Sequence, residues 1–229
     1  MQKGISSLTK AETAAGWIWL PCYLFFLPLA LQYANLKFSW GLTDLTLSLL
    51  SLGINLAAVL LIFSRYLLRT LPGRGLWNGI LALALGAAVC CGGTWLLGVL
   101  TQKLQLSLPQ YNNDTVLALI AQNRTLMAVV CVTAVPLIEE TLIRGLVFGS
   151  LRRISGFGAA VISTLLFLLM HVWTYFGRCP TGAVLLSALR YLPAAAGLCL
   201  TAAVSDTVWS SVLLHAMINA VTFGIIKIF

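Results

Sequence analysis

The residues best suited to chemistry in this chain are ionisable groups that lie inside apolar segments. Glu139 and Glu140 are adjacent in the segment TAVPLIEETLIRGLVFG, and Arg144 follows one helical turn later. If this segment spans a membrane, the three groups lie roughly 15–20 Å from either end of its helix. An uncompensated charge at that depth is expensive, and it is tolerated mainly where it faces the bundle interior and has a partner.

Helical geometry provides a partner for one of the two glutamates. Glu140 and Arg144 are four residues apart, so they share a helix face and can pair. Glu139 is rotated by about 100° from Glu140 and needs a partner from another helix. Pro136 is expected to kink the helix and to open room for water or substrate beside the carboxylates. Taken alone, this string is equally compatible with a neutral clamp between helices in which Glu139 is protonated.

Both histidines of the chain also fall inside apolar segments. His171 follows Phe167 by one turn in LLFLLMHVWTYF, and His215 precedes Asn219 by one turn in SSVLLHAMINAVTF. His215 and Asn219 therefore project from the same helix face. A single histidine on an apolar face is more often a satisfied core residue than a functional one. Two histidines, an amide and the Glu-Glu-Arg group at similar depth on separate helices predict one polar cluster.

The elements that must position these groups are membrane-spanning helices. The chain has 229 residues, 60% hydrophobic and 9% charged, and its mean hydropathy is +0.97, whereas a soluble domain carries about 25% charged residues. We expect an all-α polytopic transmembrane helix bundle with about seven spans, each of ~20 apolar residues. A short interfacial helix at Asn113–Asn123 would be an eighth element. The predicted spans are Gly16–Ala34, Leu45–Phe63, Leu76–Leu100, Thr125–Leu151, Gly158–Tyr175, Leu185–Val204 and Val208–Ile228.

Basic residues lie in the short connections and act as topology signals. The formal charge of +8 does not indicate nucleic-acid binding, because the basic residues form no stripe with interleaved aromatics. Seven basic residues against five favour a cytoplasmic N-terminus. Arg190, near the predicted outer end of the sixth span, is interpreted as an interface residue. The inner set is Lys3, Lys10, Arg65, Arg69, Arg74, Arg152 and Arg153, and the outer set is Lys37, Lys103, Arg124, Arg178 and Lys227.

Three short motifs in this order resemble those of the CAAX-protease and bacteriocin-processing family. Its Glu-Glu-x-x-x-Arg motif is present as Glu139 to Arg144, its Phe-x-x-x-His motif as Phe167 to His171, and its His-x-x-x-Asn motif as His215 to Asn219. The resemblance covers roughly residues 123–223. It implies an intramembrane endopeptidase that needs no cofactor and forms no covalent intermediate.

The resemblance also implies a role for each motif residue. Glu139 would take a proton from the attacking water, and His171 would help to hold that water. His215 and Asn219 would stabilise the oxyanion, and Glu140 and Arg144 would shape the site. These six residues are the predicted catalytic set.

Other functions of the same residues stay open at this stage. His171, His215 and a glutamate could instead bind zinc, although the string His-Glu-x-x-His is absent. A non-catalytic immunity or binding protein, and a transporter with a buried Glu/His relay, are further alternatives.

The chain is expected to form one integral membrane domain, residues 1–229. Residues 1–122 would supply N-terminal helices and loops, and residues 123–223 the catalytic core. The resemblance implies a peptide or protein substrate in or at the bilayer, prenylated or a peptide precursor, and a compact chain of this kind is typical of bacterial cell-membrane members.

Overall fold

The computed structural model describes residues 4–71 and 76–225, and the regular structure of these residues is helical. Two segments, Cys22–Phe26 and Thr141–Phe148, are π-helical, and Trp173–Tyr175 is a short 3₁₀ turn. The all-α class predicted from the sequence is confirmed. The α-helices are α1 (Lys10–Pro21), α2 (Leu27–Lys37), α3 (Asp44–Arg69), α4 (Leu76–Lys103), α5 (Tyr111–Gln122), α6 (Arg124–Val132), α7 (Ala134–Glu140), α8 (Gly149–Leu151), α9 (Gly156–Val172), α10 (Thr181–Leu189), α11 (Leu192–Ser205) and α12 (Val208–Thr222).

Each of the seven predicted spans corresponds to a helical stretch among the described residues, but these stretches differ in length. Within the described residues, five continuous helical stretches are long and apolar enough to cross a membrane, and the bent pair α10 and α11 would be a sixth. The seventh predicted span is α12, an apolar helix of 15 residues, and its predicted end at Ile228 lies outside the described residues. The predicted interfacial helix is present as α5. The described residues therefore form a polytopic helical bundle that contains five or six full-length candidate spans.

Prolines determine where two of the predicted spans break. Pro136 lacks a backbone N–H, and its ring would clash with the carbonyl group of Val132; α6 ends at Val132. Pro193 has the same relation to Leu189, where α10 ends. The sixth predicted span, Leu185–Val204, is consequently two helices that meet at an angle of 42°. The break before Pro136 is the kink that the sequence predicts.

Several basic residues of the predicted inner set lie together at one end of the bundle. Arg69 forms an ion pair of 2.5 Å with Glu12, and Arg152 forms one of 2.9 Å with Asp206. Arg153 donates hydrogen bonds to the backbone carbonyl groups of Ser6 and Leu8. This arrangement agrees with the predicted grouping of loops, while Lys3, Arg74 and Lys227 lie outside the described residues.

The segment that carries Glu139, Glu140 and Arg144 lies at the centre of the bundle. Residues 138–149 are all buried, and their apolar side chains form the main core with residues of α3, α9 and α11. On one side, α4 and α11 come into backbone contact, where a Cβ on Gly197 would lie 2.6 Å from the carbonyl oxygen of Gly86. The central helix is thus enclosed on several sides, as charged groups inside a membrane require.

Candidate active site

Glu140 and Arg144 form the buried centre of the polar cluster. Both side chains are fully buried, and Arg144 Nη1 lies 3.0 Å from Glu140 Oε1. Arg144 Nη2 also donates to the carbonyl oxygen of Ala195 on α11, at 3.1 Å. The guanidinium carbon lies 4.4 Å from the centroid of the Phe167 ring. The predicted pairing within one helix face is therefore present, and it connects α7, α9 and α11.

His215 lies between the two glutamates. Its Nδ1 is 2.8 Å from Glu140 Oε1, and because a carboxylate only accepts, Nδ1 is the donor. Its Nε2 lies 3.8 Å from Glu139 Oε2, which is too long for a direct hydrogen bond and suits a bridging water. Glu140 therefore orients the imidazole so that Nε2 points toward Glu139.

Glu139 receives a partner that the sequence reasoning missed. The hydroxyl group of Tyr23 donates to Glu139 Oε1 over 3.3 Å. Tyr23 lies in the π-helical segment Cys22–Phe26, directly after Pro21, in the part of the chain that carries none of the three motifs. The other oxygen, Glu139 Oε2, is buried and has no hydrogen-bond partner among the described residues. The sequence feature that could have drawn attention to Tyr23 is Pro21, since a proline inside a helix marks an irregular turn.

His171 and Asn219 complete the predicted set. His171 Nδ1 lies 2.8 Å from the carbonyl oxygen of Phe167, so Nδ1 donates and Nε2 is the acceptor of the neutral ring. Asn219 Nδ2 donates to the carbonyl oxygen of Cys131 on α6, at 2.9 Å. This bond fixes the amide and leaves its second N–H free for another acceptor.

A cavity of about 230 Å³ joins four of the six predicted residues. Its polar wall contains Glu139, His171, His215 and Asn219, and Tyr23 lines the cavity next to Glu139. Glu140 and Arg144 do not line it and lie behind this wall. The remaining lining residues are mainly apolar, and most come from α3, α5 and α6: Ser48, Leu49, Leu52, Asn112, Val116, Leu119, Met127, Val130 and Cys131, with Val135, Met170 and Phe223 from other parts of the chain.

Arg190 does not occupy the position expected of a purely interfacial residue. It caps α10 at the break before α11, and its side chain is half-buried. It lines a second cavity of about 200 Å³ together with His171, His215 and Asn219. Our interpretation of Arg190 as a topology residue alone is therefore incomplete. The sequence feature that could have indicated its position is Pro193, which causes the break.

Among the described residues, the polar cluster brings two possible zinc ligands close to each other, His215 and Glu139. Among residues 4–71 and 76–225, no group of three or more His, Cys, Asp or Glu side chains is arranged to hold a metal ion. His215 and Glu139 approach each other to 3.8 Å. A zinc site that also used His171 would require these side chains to converge further.

The fold and the cluster together define a polytopic helical membrane protein with a buried carboxylate–histidine site beside a cavity. Residues 121–221 match the family model described as Type II CAAX prenyl endopeptidase Rce1-like. No curated protein and no solved structure matches the chain. The match agrees with the family resemblance that the three motifs indicate, and it covers the segment that carries all six predicted site residues.

Proposed function

We propose that this protein hydrolyses a peptide bond of a membrane-associated substrate with a water molecule activated by Glu139. The observation that carries the proposal is the cavity wall, where Glu139, His171, His215 and Asn219 lie side by side. Each of these side chains is held by a second group, and together they supply an acceptor for a proton and donors for an oxyanion. These are the two requirements of non-covalent peptide hydrolysis.

Glu139 is the proposed general base. Its Oε1 is held by Tyr23, while Oε2 has no hydrogen-bond partner among the described residues and faces His215 Nε2 across 3.8 Å. A water in that gap could donate a proton to Oε2. A base must be within hydrogen-bond reach of the proton that it abstracts, and this geometry supports Glu139 rather than the fully buried Glu140.

The two histidines have different proposed tasks. His171 accepts through Nε2 because Nδ1 donates to the Phe167 carbonyl group, and it can therefore hold the attacking water through one of the water's hydrogens. His215 donates to Glu140 through Nδ1. If the proton that Glu139 takes from the water passes to His215 Nε2, 3.8 Å away, that nitrogen becomes a donor that stabilises the oxyanion. The same proton then goes to the departing amine as the C–N bond breaks.

Asn219 and the buried ion pair complete the mechanism. The free N–H of Asn219 is the second proposed oxyanion donor, and the bond to the Cys131 carbonyl group fixes its direction. Glu140 and Arg144 act as positioning residues, because Glu140 orients His215 while Arg144 neutralises Glu140. Donors that are fixed before the reaction need no reorganisation as charge develops.

The N-terminal helices are proposed to belong to the same domain as the catalytic core. Tyr23, Ser48 and Leu52 line the cavity that contains Glu139, although all three lie outside the matched residues 121–221. A core of residues 123–223 alone would leave one side of this cavity open. We therefore propose one integral membrane domain, residues 1–229, in which residues 1–122 form the substrate-facing wall.

The proposed substrate is a peptide or protein in or at the bilayer, either prenylated near its C-terminus or an unmodified peptide precursor. The family match supports a peptide substrate and a lipid environment. A bacterial cell membrane and a cytoplasmic N-terminus remain our proposals for its location. The reaction is proposed to proceed without a metal cofactor, with zinc bound by His171, His215 and a glutamate as the alternative.

Peptide cleavage by the purified protein tests this function. The assay would use internally quenched peptides, one set with S-farnesylcysteine followed by three residues and one set without the prenyl group. Glu139→Gln should lower turnover by about 10²–10⁴-fold, because it removes the base while retaining the shape. Asp44→Asn, which removes an exposed carboxylate in the first turn of α3, should leave turnover unchanged.

The same assay separates the alternatives. Turnover that persists in a strong zinc chelator supports the metal-free mechanism, whereas loss with chelator and recovery with zinc assigns His171 and His215 to a metal site. Cleavage by Glu139→Gln at the wild-type rate would contradict the site assignment. A protein that binds these peptides without cleaving them would fit the immunity or binding alternative instead.

A further inference from the structure

A second cavity adjoins the cavity that contains Glu139. It has a volume of about 200 Å³, and the two cavities share His171, His215 and Asn219, which we call the histidine wall. The remaining polar lining of the second cavity includes Arg190, Tyr191 and Asn113. The histidine wall is therefore bordered by a carboxylate in one cavity and by a guanidinium group in the other.

Arg190 retains donors for a ligand. Its Nη1 donates to the carbonyl oxygen of Leu108 at 3.2 Å, and within residues 4–71 and 76–225 it forms no ion pair with a carboxylate. A guanidinium group has five N–H donors, so one bond to a neutral carbonyl oxygen leaves most of them available. A half-buried cation without a counter-ion carries a desolvation cost that an anionic ligand would offset.

Tyr191 fixes the position of Arg190 relative to the proposed catalytic groups. The Tyr191 ring stacks at a tilt on His171, with 4.3 Å between ring centroids, and its hydroxyl group donates to Asn113 Oδ1 at 3.1 Å. Because Arg190 is the preceding residue, its backbone is tied to His171 through this stack. A peptide residue spans about 3.3–3.6 Å, so a substrate bound at His171 could reach Arg190 within a few residues.

We propose that Arg190 binds a carboxylate group of the peptide substrate and thereby sets the direction in which the substrate lies along the histidine wall. This inference rests on the proposed peptidase function and deepens it by naming the charged group that the substrate carries. Arginine suits the task because its planar fork matches a carboxylate. Glu139, which lines the adjoining cavity, would repel the same group, so the two charges favour one orientation.

The carboxylate has two possible sources, the free C-terminus of a short peptide and an acidic side chain. Three fluorescent peptides distinguish them, each with S-farnesylcysteine followed by three residues: a C-terminal acid, the matching amide, and an amide whose last residue is glutamate. Binding would be measured by fluorescence anisotropy in detergent with Glu139→Gln as the background, so that no cleavage interferes. Any difference in detergent partitioning between the charged and uncharged peptides is the same for every protein variant, so it cancels when the variants are compared.

In the Glu139→Gln background, the acid should bind about tenfold or more tightly than the amide, as expected for a charge-assisted hydrogen bond. Arg190→Gln should abolish this difference, and Arg190→Lys should restore part of it. Arg178→Gln is the matched control, because Arg178 is an exposed arginine outside both cavities, and it should keep the full difference. The glutamate amide will bind like the acid if any carboxylate suffices, and like the plain amide if only a C-terminus is recognised.

The ratio of acid to amide binding is measured within each variant, so a general loss of folded protein does not change it. Equal binding of all three peptides, absence of binding by all three, or a binding ratio unaffected by Arg190→Gln would each overturn the proposal. Failure of the peptidase function is a separate result, in which wild type discriminates acid from amide but cleaves neither.

Discussion

The buried ion pair between Glu140 and Arg144 leads to a sharp prediction about stability. Arg144→Met keeps an unbranched apolar stem but removes the bond to Glu140 at 3.0 Å and the bond to the Ala195 carbonyl oxygen at 3.1 Å. Both partners then stay buried with fewer donors, although His215 still donates to Glu140. Removing one member of a buried pair costs about 3–5 kcal/mol. For a chain of this size we expect a Tm lower by about 6–20 °C.

Two further variants separate the ion pair from ordinary packing. Arg144→Met combined with Glu140→Gln leaves no buried charge, so it should recover about 2 kcal/mol relative to Arg144→Met alone. Arg152→Met breaks an exposed ion pair with Asp206, which should cost less than about 1 kcal/mol. Thermal unfolding in detergent, followed by tryptophan fluorescence, measures all three. The reasoning is refuted if Arg144→Met is no less stable than Arg152→Met, or if the double variant is as unstable as Arg144→Met.

Two other predictions concern the N-terminal helices and the orientation of the bundle. Tyr23→Phe removes the hydroxyl group that holds Glu139, so turnover should fall on the order of tenfold with little change in Tm. The control is Tyr33→Phe, because Tyr33 is exposed. Equal turnover in both variants would exclude a role for Tyr23. The orientation is tested in a variant whose six native cysteines are replaced by serine or alanine. If the N-terminus is cytoplasmic, a membrane-impermeant maleimide should label Arg178→Cys in intact cells and Ser155→Cys only after lysis, and the reverse pattern would invert the proposed topology.

The helical class and the central ion pair could be predicted from the sequence, because both depend on regular patterns within short stretches of the chain. A low charge content and apolar runs of sufficient length require a bilayer. Four-residue spacing places Glu140 and Arg144 on one face of the same helix, where they pair. The position of His215 beside both glutamates could be anticipated only through the family motifs. Nothing in the spacing along the chain determines how α12 is rotated against α7.

The number of full-length spans was harder to predict, because a hydropathy average does not detect where the backbone of an apolar segment is irregular. The sixth predicted span contains the break at Arg190 and Tyr191, yet its composition is apolar throughout. Tyr23 was missed for a related reason, since it lies more than 100 residues before Glu139 in the chain. A pairing at that separation depends on the packing of α1 and α3 around α7, which no local pattern encodes.

The irregular points of the backbone explain why the functional groups gather where they do. Tyr23 lies in one π-helical segment and Arg144 in the other, Glu139 follows the break at Thr133, and Arg190 lies at the break before α11. In an apolar medium, a broken helix leaves backbone groups that only protein contacts or water can satisfy. Such breaks are therefore confined to the interior or to a polar cavity, and a side chain next to one is directed there as well. Pro21, Pro136 and Pro193 mark three of these points, so in a membrane chain the residues flanking a proline within an apolar run are the first candidates for a site.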